Sequence, residues 1–244
     1  MSVAVVAHRG ASGTHPENTE SAFVEALRLG VEAVELDVHL SADGELVVIH
    51  DDSVDRTSDG SGRVRHMRWE EIAQLDAGTW FDARFVGQRF LRLDEALDIL
   101  VGDVRLNVHA KAYEHDRAEL ATRVVRRLAD RGLLERAFLA SDGQTLALAR
   151  RVNQGLTMCN LSVPPIENYV LRSHALGCSI LQPGHAVTTP ELVAAAHAKG
   201  MEVNPFYADE EVEMERLIGC GVDGILTNYP EKLQTLRSRL TPGK

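Results

Sequence analysis

No apolar run in these 244 residues approaches the roughly 20 that a membrane-spanning helix needs, so a transmembrane protein is not expected. The opening stretch, Met1 to Ala7, is short, uncharged and runs straight into a polar motif, unlike a signal peptide. Cysteine is scarce. Cys159, Cys178 and Cys220 are scattered and odd in number, which argues against a disulfide framework and for reduced, buried thiols. Positive charge is in deficit too: 26 Lys and Arg stand against 36 Asp and Glu, for a formal net charge of −10. Nucleic acid and anionic membrane surfaces are therefore poor candidates as the main partner. A small anionic substrate would need a local positive site, supplied by a metal or by a few placed cations. Repeats and low-complexity linkers are also missing. The expectation is one domain over residues 1–244, in the cytoplasm.

What is present is alternation. Short Val/Ile/Leu-rich runs recur at 3–7, 33–38, 104–109, 137–140, 156–161, 179–182, 202–205 and 224–227. Between most of them lie stretches with apolar residues at helical spacing, as in 118–128 and 192–197. Asn18 reads as the cap of one helix, and Thr189 with Pro190 as the start of another. Strands alternating with helices imply parallel neighbours, and eight of them imply a closed (β/α)8 barrel of the TIM type.

One run breaks the pattern. Residues 46–50 follow the second strand after only a short turn containing Asp43-Gly44, too close for a parallel crossover. The pair must be an antiparallel hairpin. If Asp43-Gly44 is the centre of the turn, paired positions sum to 87, which sets Asp37 opposite His50 and Glu35 opposite Asp52. From residue 51 to about 93 no clear strand follows. That insertion is rich in Gly, Ser, Asp and Arg, and Trp69, Trp80, Phe81, Phe85 and Phe90 give it something to pack.

Active sites of such barrels lie at the C-terminal ends of the strands. There the chain has His8-Arg9-Gly10, then Glu35 and Asp37, then His109 and Lys111; later strands end in Ser141, Asn160, Gln182, Phe206 and Asn228. Glu35 and Asp37 are two apart and share a strand face. Carboxylates crowded with a histidine repel one another and are costly to desolvate, which a divalent cation resolves; oxygen ligands suit Mg²⁺ or Ca²⁺. His8 and His50 are the proton-transfer candidates, because imidazole titrates near neutrality. Arg9 offers a planar fork for a phosphate and Lys111 a second cation, unless Lys111 merely pairs with Glu35 or Asp37. Of the other histidines, His39, His66, His115, His174 and His197 read as surface residues, and His15 and His185 as loop residues near the site.

These motifs resemble those of the glycerophosphodiester phosphodiesterase family. His8-Arg9-Gly10 with Pro16-Glu17-Asn18-Thr19 is similar to its opening motif. Glu35-Leu36-Asp37-Val38, Asp43-Gly44 and His50-Asp51 resemble the second, at matching spacing. Arg56-Thr57, Gly60-Ser61-Gly62, Leu75-Asp76-Ala77-Gly78 and Trp80-Phe81 resemble its small insertion, and the run from Gly221 to Pro230 its last strand and turn. The resemblance implies a TIM barrel that hydrolyses a glycerophosphodiester to glycerol 3-phosphate and an alcohol. It also implies a His8/His50 acid–base pair, Glu35 and Asp37 as metal ligands, and Arg9 and Lys111 on the phosphate. Three positions depart from the family. Histidine stands at 109 where an acidic metal ligand is usual, Phe206 replaces a tryptophan, and Ser141-Asp142 replaces Ser-Phe-Asp. His109 as a third ligand would shift preference from Mg²⁺ or Ca²⁺ towards Mn²⁺ or Zn²⁺. Two other readings stand beside this one. The first is lysophospholipase D-like hydrolysis of lipid phosphodiesters, with the insertion's aromatics forming an apolar trough. The second is a catalytically weak phosphodiester-binding relative.

Overall fold

The computed structural model describes residues 3–161 and 168–240, so both ends of the expected 1–244 domain run past the described residues. Ten strands form one sheet: β1 (Ala4–Ala7), β2 (Ala33–Leu40), β3 (Leu46–Val48), β4 (Leu91–Arg92), β5 (Arg105–Ala110), β6 (Ala137–Ser141), β7 (Thr157–Asn160), β8 (Ile180–Leu181), β9 (Glu202–Val203) and β10 (Gly224–Thr227). Eight are parallel neighbours in the order β10-β1-β2-β5-β6-β7-β8-β9. Across the remaining seam, Asp223 N–H donates to Val203 O and Leu226 N–H to Pro205 O, both at 3.0 Å. The result is a TIM barrel, with all eight expected strands in place.

The eight barrel strands are buried almost throughout on both faces, as parallel barrel strands must be. Residues facing out, such as Leu36, Leu106 and Leu139, pack beneath the surrounding helices. Facing in are Val6, Ala33 and Leu226 on one side and Phe138, Ala140, Cys159 and Ile180 on the other. Truncating a fully buried leucine of this layer, such as Leu106, to alanine costs about 2–5 kcal/mol. Of the cysteines, Cys159 and Cys178 are buried and Cys220 is half-buried; all are free. No helix among the described residues is long and apolar enough to cross a membrane.

The first helix, α1 (Glu20–Leu29), is capped by Thr19 and not by Asn18. Asn18 sits one step earlier in the left-handed region, at φ 57°, and its side chain is spent elsewhere. The helix at Pro190–His197 does begin as expected, with the Thr189 hydroxyl accepting from Leu192 N–H and Pro190 in the first turn.

The hairpin forms, but one residue off the expected register. The pairs are Val38 with Val48, His39 with Val47 and Leu40 with Leu46, so positions sum to 86. The cause is a three-residue loop: Ser41 N–H donates to Glu45 O, Gly44 N–H to Ser41 O, and Gly44 adopts φ 83°. Glycine tolerates that conformation where an L side chain is strained. Asp37 thus meets Ile49, whose N–H donates to the Asp37 carbonyl at 3.1 Å. His50 lies two residues beyond the last paired residue, where strand alternation no longer governs its direction.

The insertion is more ordered than its composition suggests. It contributes β4, which pairs antiparallel with β3. It also has a core of its own, in which Val47 and Ile49 from the hairpin meet Val54, Val64, Ile72, Ala77 and Phe90, with Trp69 packed alongside.

Candidate active site

At the C-terminal mouth of the barrel is a cleft of about 280 Å³ lined by His8, Arg9, Glu35, Asp37, His50, His109 and Lys111, and opposite them by Leu161, Gln182, Phe206, Tyr207 and Leu226. The seven residues given roles from the sequence converge there, whereas Ser141, Asn160 and Asn228 do not line it, and Asp52, expected opposite Glu35, pairs with Arg63 instead. The charged half comes from β1, β2, β5 and the end of the hairpin.

Glu35, Asp37 and His109 each offer one ligand atom, and the three atoms lie within 4.8 Å of one another. His109 Nδ1 is 3.1 Å from Asp37 Oδ1 and 3.9 Å from Glu35 Oε1. Despite that approach, Asp37 Oδ1 is buried and has no hydrogen-bond partner. A buried carboxylate oxygen without a partner is rare in folded proteins. Two buried carboxylates and a half-buried imidazole fit a divalent cation with mixed oxygen and nitrogen ligands.

The electrostatics reflect the crowding. Burial and then the charge of Asp37 push the Glu35 carboxyl well above its usual range. Burial would also raise Asp37, but His109, Lys111 and Arg9 outweigh it and hold that carboxyl well below the usual range. Burial, followed by the Arg9 charge, lowers His8 to about 4, and burial lowers His50 and His109 as well.

Each of the two proton-transfer histidines is held from behind, by different chemistry. His8 Nδ1 lies 2.8 Å from Asn228 Oδ1, which also accepts from the Ser12 hydroxyl at 2.8 Å. Asn228 Nδ2 donates to Asp209 Oδ2 at 2.7 Å, and this orients the amide. Asn228 Oδ1 can therefore only accept, so the proton of neutral His8 is on Nδ1 and the Nε2 lone pair faces the cleft. Tyr207 stacks on the same ring at 5.1 Å. His50 Nδ1 instead lies 2.7 Å from the Asp51 carboxylate. Arg56 grips Asp51 and reaches on to Glu17, which also accepts from Arg9 at 2.9 Å. A chain of charges thus ties the first loop to the insertion.

The two cations are not equally free. Arg9 is committed to Glu17 and comes within 3.3 Å of Asp37 Oδ2 through Nε. Lys111 Nζ is 3.6 Å from Asp37 Oδ1, so the pairing considered for it from the sequence does form, with Asp37.

The model of the glycerophosphoryl diester phosphodiesterase family matches residues 8–232. The chain belongs to this family. A glycerophosphodiester phosphodiesterase of Caldanaerobacter subterraneus is 36% identical over 97% of this chain and 98% of its own length. Among solved structures, an Oleispira antarctica phosphodiesterase in complex with the product sn-glycerol-3-phosphate has a TM-score of 0.89 and 28% identity, covering 96% of both chains. A putative glycerophosphoryl diester phosphodiesterase from Silicibacter pomeroyi also reaches 0.89, at 29% identity over 98% of this chain and 94% of its own. The chain is thus a phosphoric diester hydrolase.

Within this family frame, several site residues escaped sequence reasoning. Asn18 was read as a helix cap; it is buried and donates from Nδ2 to Asp37 Oδ2 at 3.0 Å. Its left-handed backbone is a conformation asparagine favours, which was the one available signal. Arg9, at φ 58°, is the other non-glycine residue of this kind among those described, and both touch Asp37. Strain concentrated beside one carboxylate fits a functional centre. Glu17 and Arg56 stood within family motifs without an assigned role, and Asp209 gave no signal. His39, read as a surface residue, is buried, and its Nε2 lies 3.0 Å from the His50 carbonyl, pinning the segment that carries His50. The insertion's aromatics do not line the cleft. Trp69 and Phe90 pack in or against its own core, while Trp80, Phe81 and Phe85 contact one another and His15. The apolar trough expected for a lipid phosphodiester is not built from them.

Proposed function

We propose that this chain hydrolyses small glycerophosphodiesters to glycerol 3-phosphate and an alcohol, with a divalent ion held by Glu35, Asp37 and His109. The observation that carries this reading is the three-ligand cluster, in which Asp37 Oδ1 accepts no hydrogen bond, in the same cleft as two separately backed histidines. When bound, the ion supplies charge stabilisation at the phosphoryl oxygens. Lys111 and Arg9 add positive charge on the same side.

His8 acts as the base. A neutral amide behind it holds the Nδ1–H tautomer but does little to favour the imidazolium, so its Nε2 is ready to accept a proton from the nucleophile, a substrate hydroxyl or water. His50 acts as the acid. The Asp51 carboxylate behind it works against the lowering by burial, and the imidazolium gives its proton to the alkoxide as the phosphorus–oxygen bond breaks. Both roles belong to one domain, since the hairpin that carries His50 shares β3 between the barrel and the insertion core.

The test is a screen of purified protein with Mg²⁺, Ca²⁺, Mn²⁺ and Zn²⁺ against glycerophosphocholine, glycerophosphoethanolamine and a lysophospholipid. Turnover of the small diesters and its loss on chelation are expected. His8→Ala and His50→Ala should each lower turnover by at least about a hundredfold with the thermal midpoint unchanged. Near-wild-type turnover by either variant at saturating metal would remove that histidine from the mechanism.

A further inference from the structure

Opposite the charged half of the cleft the wall is nearly all carbon: Leu161, Phe206, the Tyr207 ring and Leu226. Gln182 is the exception. In the ring of strands it follows β8, which lies diametrically across the barrel from β2 and its two carboxylates. It is almost fully buried, at 2% exposure. Its backbone N–H donates to the Tyr169 hydroxyl at 3.2 Å, and that hydroxyl donates to the Asn160 carbonyl, so the main chain at this point is anchored. Its side chain, by contrast, is unclaimed. Nε2 is buried without a partner, although the residue lines the cleft. Buried side-chain amides are nearly always satisfied, because leaving one unpaired forfeits its hydration with nothing in return. An amide kept unpaired in a substrate cleft, on a main chain held in place, is suited to a partner that arrives with the substrate.

We infer that Gln182 is a specificity-determining residue that hydrogen-bonds the terminal hydroxyl of the substrate's glycerol moiety, the one farthest from the phosphate. This rests on the proposed function above. With the phosphate held at the Glu35–Asp37 side, the compact glycerol lies against the opposite wall. There its ring-free carbon backbone meets Leu161, Phe206 and Leu226. Its hydroxyls, stripped of water, need a partner, and the amide can both donate to and accept from one of them. The Tyr207 hydroxyl is the other polar group on this side, but Tyr207 is 45% exposed and stacked on His8. Gln182 is the deep one. A site built around such a bond rejects a substrate lacking the hydroxyl, since the amide then stays buried and unpaired.

The experiment compares wild type with Gln182→Met, which keeps the side chain's length, and Gln182→Leu, on two matched pairs. One pair is glycerophosphoethanolamine against its 2-hydroxypropyl analogue, which lacks only the terminal hydroxyl and keeps the one beside the phosphate, read as kcat/KM. The other is sn-glycerol 3-phosphate against 2-hydroxypropyl phosphate, read as binding by calorimetry in the absence of turnover. Wild type is expected to prefer the glycerol member of each pair by about tenfold or more. Both variants should lose about that factor on the glycerol member and stay within about twofold of wild type on the one lacking the terminal hydroxyl. Equal losses on both members, or no loss on either, would overturn the assignment. If wild type turns over neither diester but still prefers sn-glycerol 3-phosphate through Gln182, the proposed hydrolysis fails and the hydroxyl contact stands.

Discussion

Asn18 bears two separable loads, and substitutions can weigh them one at a time. Its amide donates to the ionised Asp37 Oδ2 at 3.0 Å, and its Oδ1 accepts weakly from Asp37 N–H at 3.4 Å. A hydrogen bond to a charged group is worth about 1.5–3 kcal/mol. Its backbone is also left-handed, where a Cβ costs about 1–2 kcal/mol for most residues. Asn18→Ala forfeits both and is expected to cost about 2.5–5 kcal/mol, a large share of the roughly 5–15 kcal/mol that holds a typical domain together. Asn18→Gly loses the same bond but relaxes the backbone, so it should be more stable than Asn18→Ala by about 1 kcal/mol. Urea unfolding of the three proteins at neutral pH, read as midpoint and slope, measures both differences. If Asn18→Gly matches wild type, the Asp37 bond contributes nothing. If Asn18→Ala is no worse than Asn18→Gly, the left-handed backbone is no constraint, and the account of strain beside Asp37 fails.

Three further outcomes are expected. His109→Glu should raise Mg²⁺- or Ca²⁺-supported turnover in a metal titration; activity already maximal with Mg²⁺ and lower in the variant would show a site adapted to histidine. Gly10 adopts φ 79°, and a Cβ there would come within 2.7 Å of the Ala22 backbone, so Gly10→Ala should lower the thermal midpoint by several degrees; an unchanged melt would contradict that close approach. Asp76 accepts from the N–H groups of Gly78, Thr79 and Gly87, which outweigh its burial and depress its pKa. The stability it adds is fully present above the unfolded carboxylate pKa of about 4 and is lost as pH falls from there through its lower folded value. Unfolding midpoints of Asp76→Asn and wild type should therefore differ at pH 7 and converge in acid; a gap that persists unchanged at low pH would rule out the carboxylate as its source.

What could be read from the sequence is what local periodicity controls. Strand–helix alternation along the chain implied the barrel, because parallel strands need crossovers of helical length between them. Period-two alternation put Glu35 with Asp37, and His109 with Lys111, on inward faces, and these four do line the cleft. Strand-end and hairpin placement added His8, Arg9 and His50, and the family motifs implied the same residues. Periodicity stops where the ladder stops. The hairpin register turned on whether its loop held two residues or three. That was decided by the left-handed Gly44 and by Ala42 N–H reaching across to Met67 O in the insertion. His50, beyond the last paired residue, owes its direction to His39, Asp51 and the Arg56–Glu17 pair instead. The partner behind His8 is 220 residues away in sequence, and Asp209 behind that one belongs to a loop without any pattern of its own. Such groups meet only because the closed ring returns β10 to the side of β1. A single sequence records which way a side chain points along its own strand. Which distant side chain it then touches depends on closure, loop length and one residue's φ, and these are settled only when the whole barrel packs.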